Sequence, residues 1–373
     1  MGGASWGGSE PLWSSVAEKA LEEGDEVLIS VYQWKSTPQK IIDLKNKGAI
    51  LIFRKQYNQN AGLIKRVSRF IVKRKPSFNS EYQSILNFRP DTILISQGDT
   101  FDLALSHWSL YNSIKKSSIS YSLICHSHQQ YSYIPPQEIY PLGQEVFTNA
   151  KNVFFISLRQ WKLTERRLVC KLNNGSFTWN PLNFNFLPKP LEWPIYDGIN
   201  FAIVGVLDGS KGQDTALEVF SGKQWKSRNW KLNFYGTGAG EKYLKDLANF
   251  YGIEQNVNFC GFEKNILKVW QENHVLLIPS SWEGMPISLV EAMVCGRPCV
   301  ANDVGGISEI VNNKNGFISS SPTVGSFNNA MEELWACKDT LIEMGKEAHD
   351  SISKIFNADS ASIILEKIRK NKL

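Results

Sequence analysis

The sequence predicts an α/β protein built from two doubly wound, Rossmann-like domains, and three observations carry that expectation. The first is length: 373 residues exceed what one hydrophobic core organises well, so two domains of ordinary size are expected. The second is a regular alternation in the second half. Short β-branched or aromatic runs near 200–207, 231–236, 256–261, 274–280, 298–303 and 316–319 alternate there with helical segments near 213–220, 241–251, 265–273, 287–295 and 307–311. Apolar runs without polar alternation, separated by helices, are the pattern of strands buried on both faces of a parallel sheet. The third is the same pattern, less regular, in the first half, with strands near 26–31, 49–54, 91–96, 120–125 and 153–157 and helices near 10–23 and 104–115.

Between the halves, residues 183–197 hold Pro188, Pro190 and Pro194 without helical or strand period, which marks a linker. The expected division is an N-terminal domain over 1–183, a linker over 184–197 and a C-terminal domain over 198–354. The last segment, 355–373, is expected to be a helix that can return to the first domain. One feature departs from the doubly wound pattern, in which a buried strand precedes the first glycine turn. Here the chain opens directly on Met1-Gly2-Gly3-Ala4-Ser5-Trp6-Gly7-Gly8, so the first strand of the N-terminal domain is expected to be missing, through a start assigned too far downstream, a fragment, or an unusual sheet edge.

Composition fits an ordinary globular protein, with 42% hydrophobic and 21% charged residues. The six cysteines include no C-x-x-C pair and no zinc-ligand spacing, so they read as reduced thiols in a cytoplasmic protein. Cys295 and Cys299 sit in an apolar helix-to-strand passage, where small buried hydrophobes are expected. No signal peptide is visible, and no run reaches the roughly 18 apolar residues of a membrane span. The net charge is +5, but eight positive charges between Arg54 and Lys75 have no acid among them. The excess is therefore local, and nucleic acid is not an expected partner. From Gly62 to Lys75, Leu63, Ile64, Val67, Phe70 and Ile71 share one helical face with Lys65, Arg66, Arg69 and Lys73 elsewhere. That pattern fits peripheral contact with an anionic membrane, and equally a helix whose apolar face packs on its own domain.

The chemistry is densest at Ser281-Trp282-Glu283-Gly284-Met285-Pro286-Ile287, running on to Glu291, and then at Gly305-Gly306 with Glu309. A strand ends near Ser280, and Pro286 falls where the first turn of a helix accepts it. The free amides and positive dipole end of that helix suit a diphosphate. Glu283 and Glu291 bracket the helix start, and a carboxylate can accept two hydrogen bonds from vicinal hydroxyls of a sugar or ribose. Without further signals, a capping acid and a solvated surface glutamate read equally well.

The spacing of Glu283 and Glu291, with Gly284 after the first and Ala292 after the second, resembles the signature of the retaining GT-B glycosyltransferases, family four. The resemblance extends through Val204-Gly205 to Lys211-Gly212, Phe234-Tyr235-Gly236-Thr237-Gly238, Phe259-Cys260-Gly261 and Gly305-Gly306. Gly7-Gly8-Ser9-Glu10 looks like the family's first glycine loop, and Asn180-Pro181 like the turn that ends its first domain. It implies the GT-B architecture, with two Rossmann-like domains and a cleft between them. It also implies transfer of a sugar from a nucleotide-diphosphate sugar, with retention, to a saccharide or lipid-linked acceptor in envelope polysaccharide or glycolipid synthesis.

By the same resemblance, Glu291 holds the ribose, and Glu283 with the amides near Gly284 and Met285 holds the donor sugar. Lys211 neutralises the leaving diphosphate, and His126 lies near the transferred sugar. Gly7, Gly8, Gly236, Pro286 and Ile287 complete the donor-binding set. Five residues before Lys211, where the family usually has arginine, this chain has Val206. His128, close after His126, is the other histidine at that strand end.

No D-x-D acid pair follows a strand and no metal-ligand spacing occurs, so transfer is expected to need no metal or cofactor, the nucleotide sugar being a co-substrate. Two other readings stay open: a catalytically weak sugar-nucleotide-binding protein, favoured by Val206 and the missing strand, and a nucleotide-sugar epimerase of the same fold.

Overall fold

The structure, a computed structural model, describes residues 6–54, 80–127, 140–184 and 188–369. The basic segment from Gly62 to Lys75 and His128 lie outside the described residues. The chain divides into two compact units, Met1–Pro181 with Ala358–Leu373, and Leu182–Asn357.

The first unit runs α1 (Glu10–Glu22), β1 (Leu28–Tyr32), α2 (Gln39–Asn46), β2 (Ile50–Arg54), α3 (Ser80–Asn87), β3 (Thr92–Asp99), α4 (Asp102–Leu105), α5 (Trp108–Ser117), β4 (Ser120–Ser127), α6 (Tyr140–Thr148), β5 (Val153–Phe155), α7 (Leu158–Leu168) and β6 (Gly175–Phe177). Its described strands form two parallel sheets. One is β1 with β2, Leu28 opposite Ile50; the other has the order β3-β4-β5-β6, with Thr92 opposite Ser120. Tyr121 to His126 are all buried in β4, as expected for a strand covered on both faces. Leu103, Leu123, Cys125, Phe147, Val153 and Phe155 form the centre of the core beside it.

The helix expected over 104–115 is two. The amides of Ser106 and His107 both return to the Asp102 carbonyl, and the His107 ring lies between the hydroxyls of Tyr32 and Tyr82 at 3.4 and 3.0 Å. A tertiary anchor at His107 breaks a run that local propensity would continue.

The second unit runs β7 (Ile199–Val204), α8 (Gln213–Phe220), α9 (Lys223–Lys226), β8 (Trp230–Tyr235), α10 (Glu241–Phe250), β9 (Val257–Gly261), α11 (Ile266–Glu272), β10 (Val275–Ile278), α12 (Ile287–Val294), β11 (Cys299–Asn302), α13 (Ile307–Ile310), β12 (Gly316–Ser319), α14 (Val324–Ala336) and α15 (Leu341–Ser353). Its six strands form one parallel sheet in the order β12-β11-β10-β7-β8-β9. The chain winds outward from β7 through β8 to β9, then crosses back to β10 on the other side of β7. That reversal is a topological switch point, where α/β sheets open a crevice at their carboxyl ends.

Arg297 is fully buried in this unit. Its guanidinium donates to the carbonyls of Trp270 at 2.8 Å, Asn273 at 2.9 Å and Glu192 at 2.6 Å, and to those of Leu191, Cys295 and Gly296. It also lies 4.9 Å from the centre of the Trp193 ring. Burial pulls its pKa down to about 10.

The last helix, α16 (Ser360–Arg369), belongs to the first unit. Arg369 pairs there with Glu23 and Asp25 just after α1, and Lys151 donates to the carbonyl of Ile368 at 2.7 Å.

Candidate functional site

At the carboxyl ends of β7, β8, β10 and β11, glycines bring loop backbones together. Gly236, after β8, has φ 142°, and a Cβ there would sit 1.9 Å from the carbonyl oxygen of Gly205. Only glycine lets the two loops run this close. The Gly205 amide donates to Tyr235 and that of Leu207 to Thr237, at 2.9 and 3.1 Å.

The following turn is folded by Asp208, whose Oδ1 accepts from the Ser210 amide at 3.0 Å and its hydroxyl at 2.6 Å. Gly212, at φ 67°, lies so near Pro279 that a Cβ would come within 2.2 Å of its carbonyl oxygen. This contact sets Lys211 against the loop after β10. Its Nζ donates to Oε1 of Glu283 at 2.7 Å, with the two side chains 27% and 11% exposed.

That loop leads into α12. Pro286 is the N-cap, with φ −62° and ψ 123°, one position earlier than the first-turn placement expected from sequence. No side chain caps the helix, so its leading amides keep the donor capacity that helix starts have. Gly284, Met285 and Pro286 are buried, and Ile287 is half-buried. Gly305 approaches from the β11 side, where a Cβ would lie 2.2 Å from the Gly284 oxygen. The Gly306 amide donates to that same oxygen at 2.7 Å. Asn302, fully buried, ties β11 to the end of β10 by donating to Pro279 at 2.7 Å and Ser280 at 3.1 Å. Sequence reasoning passed over Asn302, although a buried asparagine closing a strand was a signal that could have marked it.

Glu291 lies on α12 with 1% exposure. Its Oε1 accepts from the amide and the side chain of Asn183, at 3.0 and 2.8 Å. Burial pushes its pKa up to about 7, against the pull of those two bonds. Asn183 is the second residue that sequence reasoning missed as part of the site, since it was read only as the edge of a linker. Lys211, Glu283, Gly284, Met285, Pro286, Ile287, Glu291 and Gly236 thus all belong to the carboxyl side of one sheet. Val206 is 43% exposed there, and its carbonyl is held by Gln213 Nε2 at 2.9 Å.

The remaining expected residues lie in the first unit. His126, near the end of β4, is 6% exposed; its Nε2 is 3.0 Å from the Ser96 hydroxyl, and its Nδ1 is buried without a partner. Burial pushes its pKa down to about 3, so the imidazole is neutral at physiological pH. Gly7 and Gly8 are exposed. The Gly7 amide, one of the expected donor-binding groups, donates to Oε2 of Glu10 at 2.8 Å, joined by the Ser9 hydroxyl at 2.9 Å. Burial raises the pKa of that carboxyl at the start of α1. Among the described residues, no group of three or more His, Cys, Asp or Glu side chains is placed to hold a metal ion.

Two parallel-sheet units, the second with a glycine-lined crevice at its switch point, form a GT-B-type glycosyltransferase fold. HepE from Anabaena in complex with UDP superposes with a TM-score of 0.71 at 16% identity, over 98% of this chain and 96% of that one. The model of the glycosyl transferases group 1 family matches residues 194–351. An uncharacterized glycosyltransferase from Haemophilus influenzae is 26% identical over 269 residues, 71% of this chain and 73% of that protein. The UDP-Gal:alpha-D-GlcNAc-diphosphoundecaprenol alpha-1,3-galactosyltransferase of Escherichia coli is 30% identical over 129 residues, 33% of each chain. The matched region thus spans only a third of that relative's length.

Proposed function

We propose that this chain transfers a sugar, with retention of anomeric configuration, from a nucleotide-diphosphate sugar to a saccharide or lipid-linked acceptor. The observation that carries the reading is the convergence of Lys211, the Glu283–Gly284 loop and the uncapped start of α12 on one crevice. A cation and a helix start aimed at one place suit a leaving diphosphate, whose charge grows as the glycosidic bond breaks. Because those groups supply the charge, the reaction needs no divalent ion. Glu291, buried beside the crevice, holds the ribose hydroxyls, and Glu283 contacts the transferred sugar. His126 supplies a neutral imidazole to a sugar hydroxyl.

Uridine is the favoured base, supported by the UDP complex of the Anabaena neighbour and by the UDP-Gal named for the Escherichia coli relative. That relative's diphosphoundecaprenol acceptor makes a lipid-linked glycan the favoured acceptor class. No helix among the described residues is long and apolar enough to cross a membrane.

The test is release of nucleoside diphosphate from a panel of donors, with chelator present and absent, followed by assignment of the product's anomeric configuration. A glycoside of retained configuration, formed equally well with chelator, is expected. An isomerised nucleotide sugar would instead mean an epimerase. Binding without product would favour the second reading, a weak sugar-nucleotide-binding protein, for which the neutral side chain of Val206 is the specific observation.

A further inference from the structure

Glu291 is a buried carboxylate with half of its acceptor capacity in use. It is 1% exposed, and both hydrogen bonds that it accepts fall on one oxygen, Oε1, from the amide of Asn183 at 3.0 Å and from its Nδ2 at 2.8 Å. An ionised carboxylate offers about four lone-pair sites on its two oxygens. Asn183 fills those of Oε1, and Oε2 accepts no hydrogen bond from the described residues. The buried cation of the same unit does not bond it, because the Arg297 guanidinium gives its donors to main-chain carbonyls, and the ammonium of Lys211 is held by Glu283. Burying a carboxylate is costly unless hydrogen bonds satisfy its remaining lone pairs. Two donors on one oxygen and none on the other leave a place for a ligand that brings hydrogen-bond donors of its own.

We propose that Asn183 is a positioning residue for the nucleotide: by holding Oε1 of Glu291 with its amide and its side chain together, it fixes the carboxyl plane and leaves Oε2 for the 2′- and 3′-hydroxyls of the ribose. The inference rests on the reading that Glu291 holds the ribose, and adds the residue that prepares it. The last torsion of a glutamate is broad and roughly two-fold, so an untethered carboxyl would turn either oxygen, or neither, toward the diol. Two donors converging on one oxygen remove that freedom. They also favour the charged form of Glu291 against burial, and a carboxylate accepts from hydroxyls more strongly than a neutral acid does. Asparagine suits this task where aspartate would not. Its Nδ2 donates, whereas an aspartate would only accept and would set a second negative charge beside the first. Asn183 is itself exposed and belongs to no helix or strand, so its side chain is not there to fill a core.

The test is calorimetric binding of UDP, ADP and GDP, which share the ribose, each beside its 2′,3′-dideoxy counterpart. The proteins are the parent, Asn183→Ala, Asn183→Asp, Glu291→Gln, and Asn183→Ala combined with Glu291→Gln. Asn183→Asp keeps the shape of the side chain and removes its donor. With the nucleotide that the parent binds most tightly, Asn183→Ala is expected to weaken affinity about tenfold, the scale of one lost charge-assisted hydrogen bond, and Asn183→Asp by more. Asn183→Ala should leave affinity for the dideoxy nucleotide unchanged, and should add little once Glu291→Gln is in place. Equal weakening with the two nucleotides would mean that Asn183 only shapes the fold, and no weakening with either would mean that it prepares nothing; each outcome overturns the proposal. A parent that binds none of the three nucleotides, or a Glu291→Gln variant that binds as tightly as the parent, would sink the ribose reading and the proposal with it. Weaker binding by Glu291→Gln with none lost in Asn183→Ala would sink the proposal alone.

Discussion

The ammonium of Lys211 and the carboxylate of Glu283, 2.7 Å apart, are each other's partners across a sequence separation of 72 residues. A nucleotide diphosphate that uses Lys211 must therefore compete with Glu283 for it. Glu283→Gln should free the lysine and tighten binding of the nucleoside diphosphate alone, by about 1 kcal/mol, the scale of a partly exposed ion pair. On the role proposed for Glu283, the same change should lower turnover, because the group facing the transferred sugar would be altered. Calorimetry with the diphosphate, set beside turnover, checks both directions, and weaker diphosphate binding would contradict the competition.

Lys211→Ala should lower turnover by about a hundredfold, the usual effect of removing one preorganised group that stabilises developing charge. In that background Glu283→Gln should no longer tighten diphosphate binding. A double-mutant cycle measures this coupling; additive effects would mean that the two groups act separately.

Glu291 ties stability to pH. Its folded pKa stands near 7, raised by burial from the ordinary carboxyl value of 4.5, so between these values the folded state binds more protons than the unfolded state. Stability from this group is fully present below about pH 4.5 and is lost as pH rises through 7. The loss is on the order of 3 kcal/mol at about 1.4 kcal/mol per unit. Glu291→Gln should flatten the fall in denaturation midpoint across that window, and an unchanged slope would assign the pH dependence elsewhere.

Gly305 holds its loop against Gly284 at φ 57°, with no room for a Cβ. Gly305→Ala should cost at least about 2 kcal/mol, from left-handed backbone strain and overpacking together. It should also weaken donor binding, because the displaced backbone is that of the 283–284 loop. Urea denaturation and donor titration read the two effects, and a neutral outcome on both would show that the loop yields freely.

The exposed side chain at position 206 leaves room for a cation. Val206→Arg should change stability by no more than about 0.5 kcal/mol, as surface substitutions usually do, and should raise turnover by supplying a second positive charge to the leaving diphosphate. Unchanged turnover would mean that another group already fills that role.

Much of this was legible in the sequence because it is local. The runs that marked β7 to β12 are strands, largely buried in all but the edge strand β9, and Glu283, Gly284 and Glu291 fall within nine residues around one helix start. What was not legible depends on distant partners. Asn183 meets Glu291 across 108 residues, and the engagement of Lys211 by Glu283 was hidden for the same reason. The break before α5 needed Tyr32 and Tyr82 to be placed around His107. The carboxylate of Glu10 on the Gly7 amide is only three residues away, yet sequence spacing cannot say whether an amide faces a ligand or its own neighbour's acid.

Arg297 gives α12 an electrical asymmetry. The carbonyls of Cys295 and Gly296, just past the last turn of that helix, already face a guanidinium that is shut away from solvent, while its leading end carries no side-chain cap. Eight residues make a helix only about 12 Å long, so the buried cation acts within reach of the amides at the other end. The attraction of that end for an anion is thus set partly by a charge that dissolved ions cannot reach, whereas the crevice itself is open to them. Rising ionic strength should accordingly erode the contribution of Lys211 well before it erodes that of the helix.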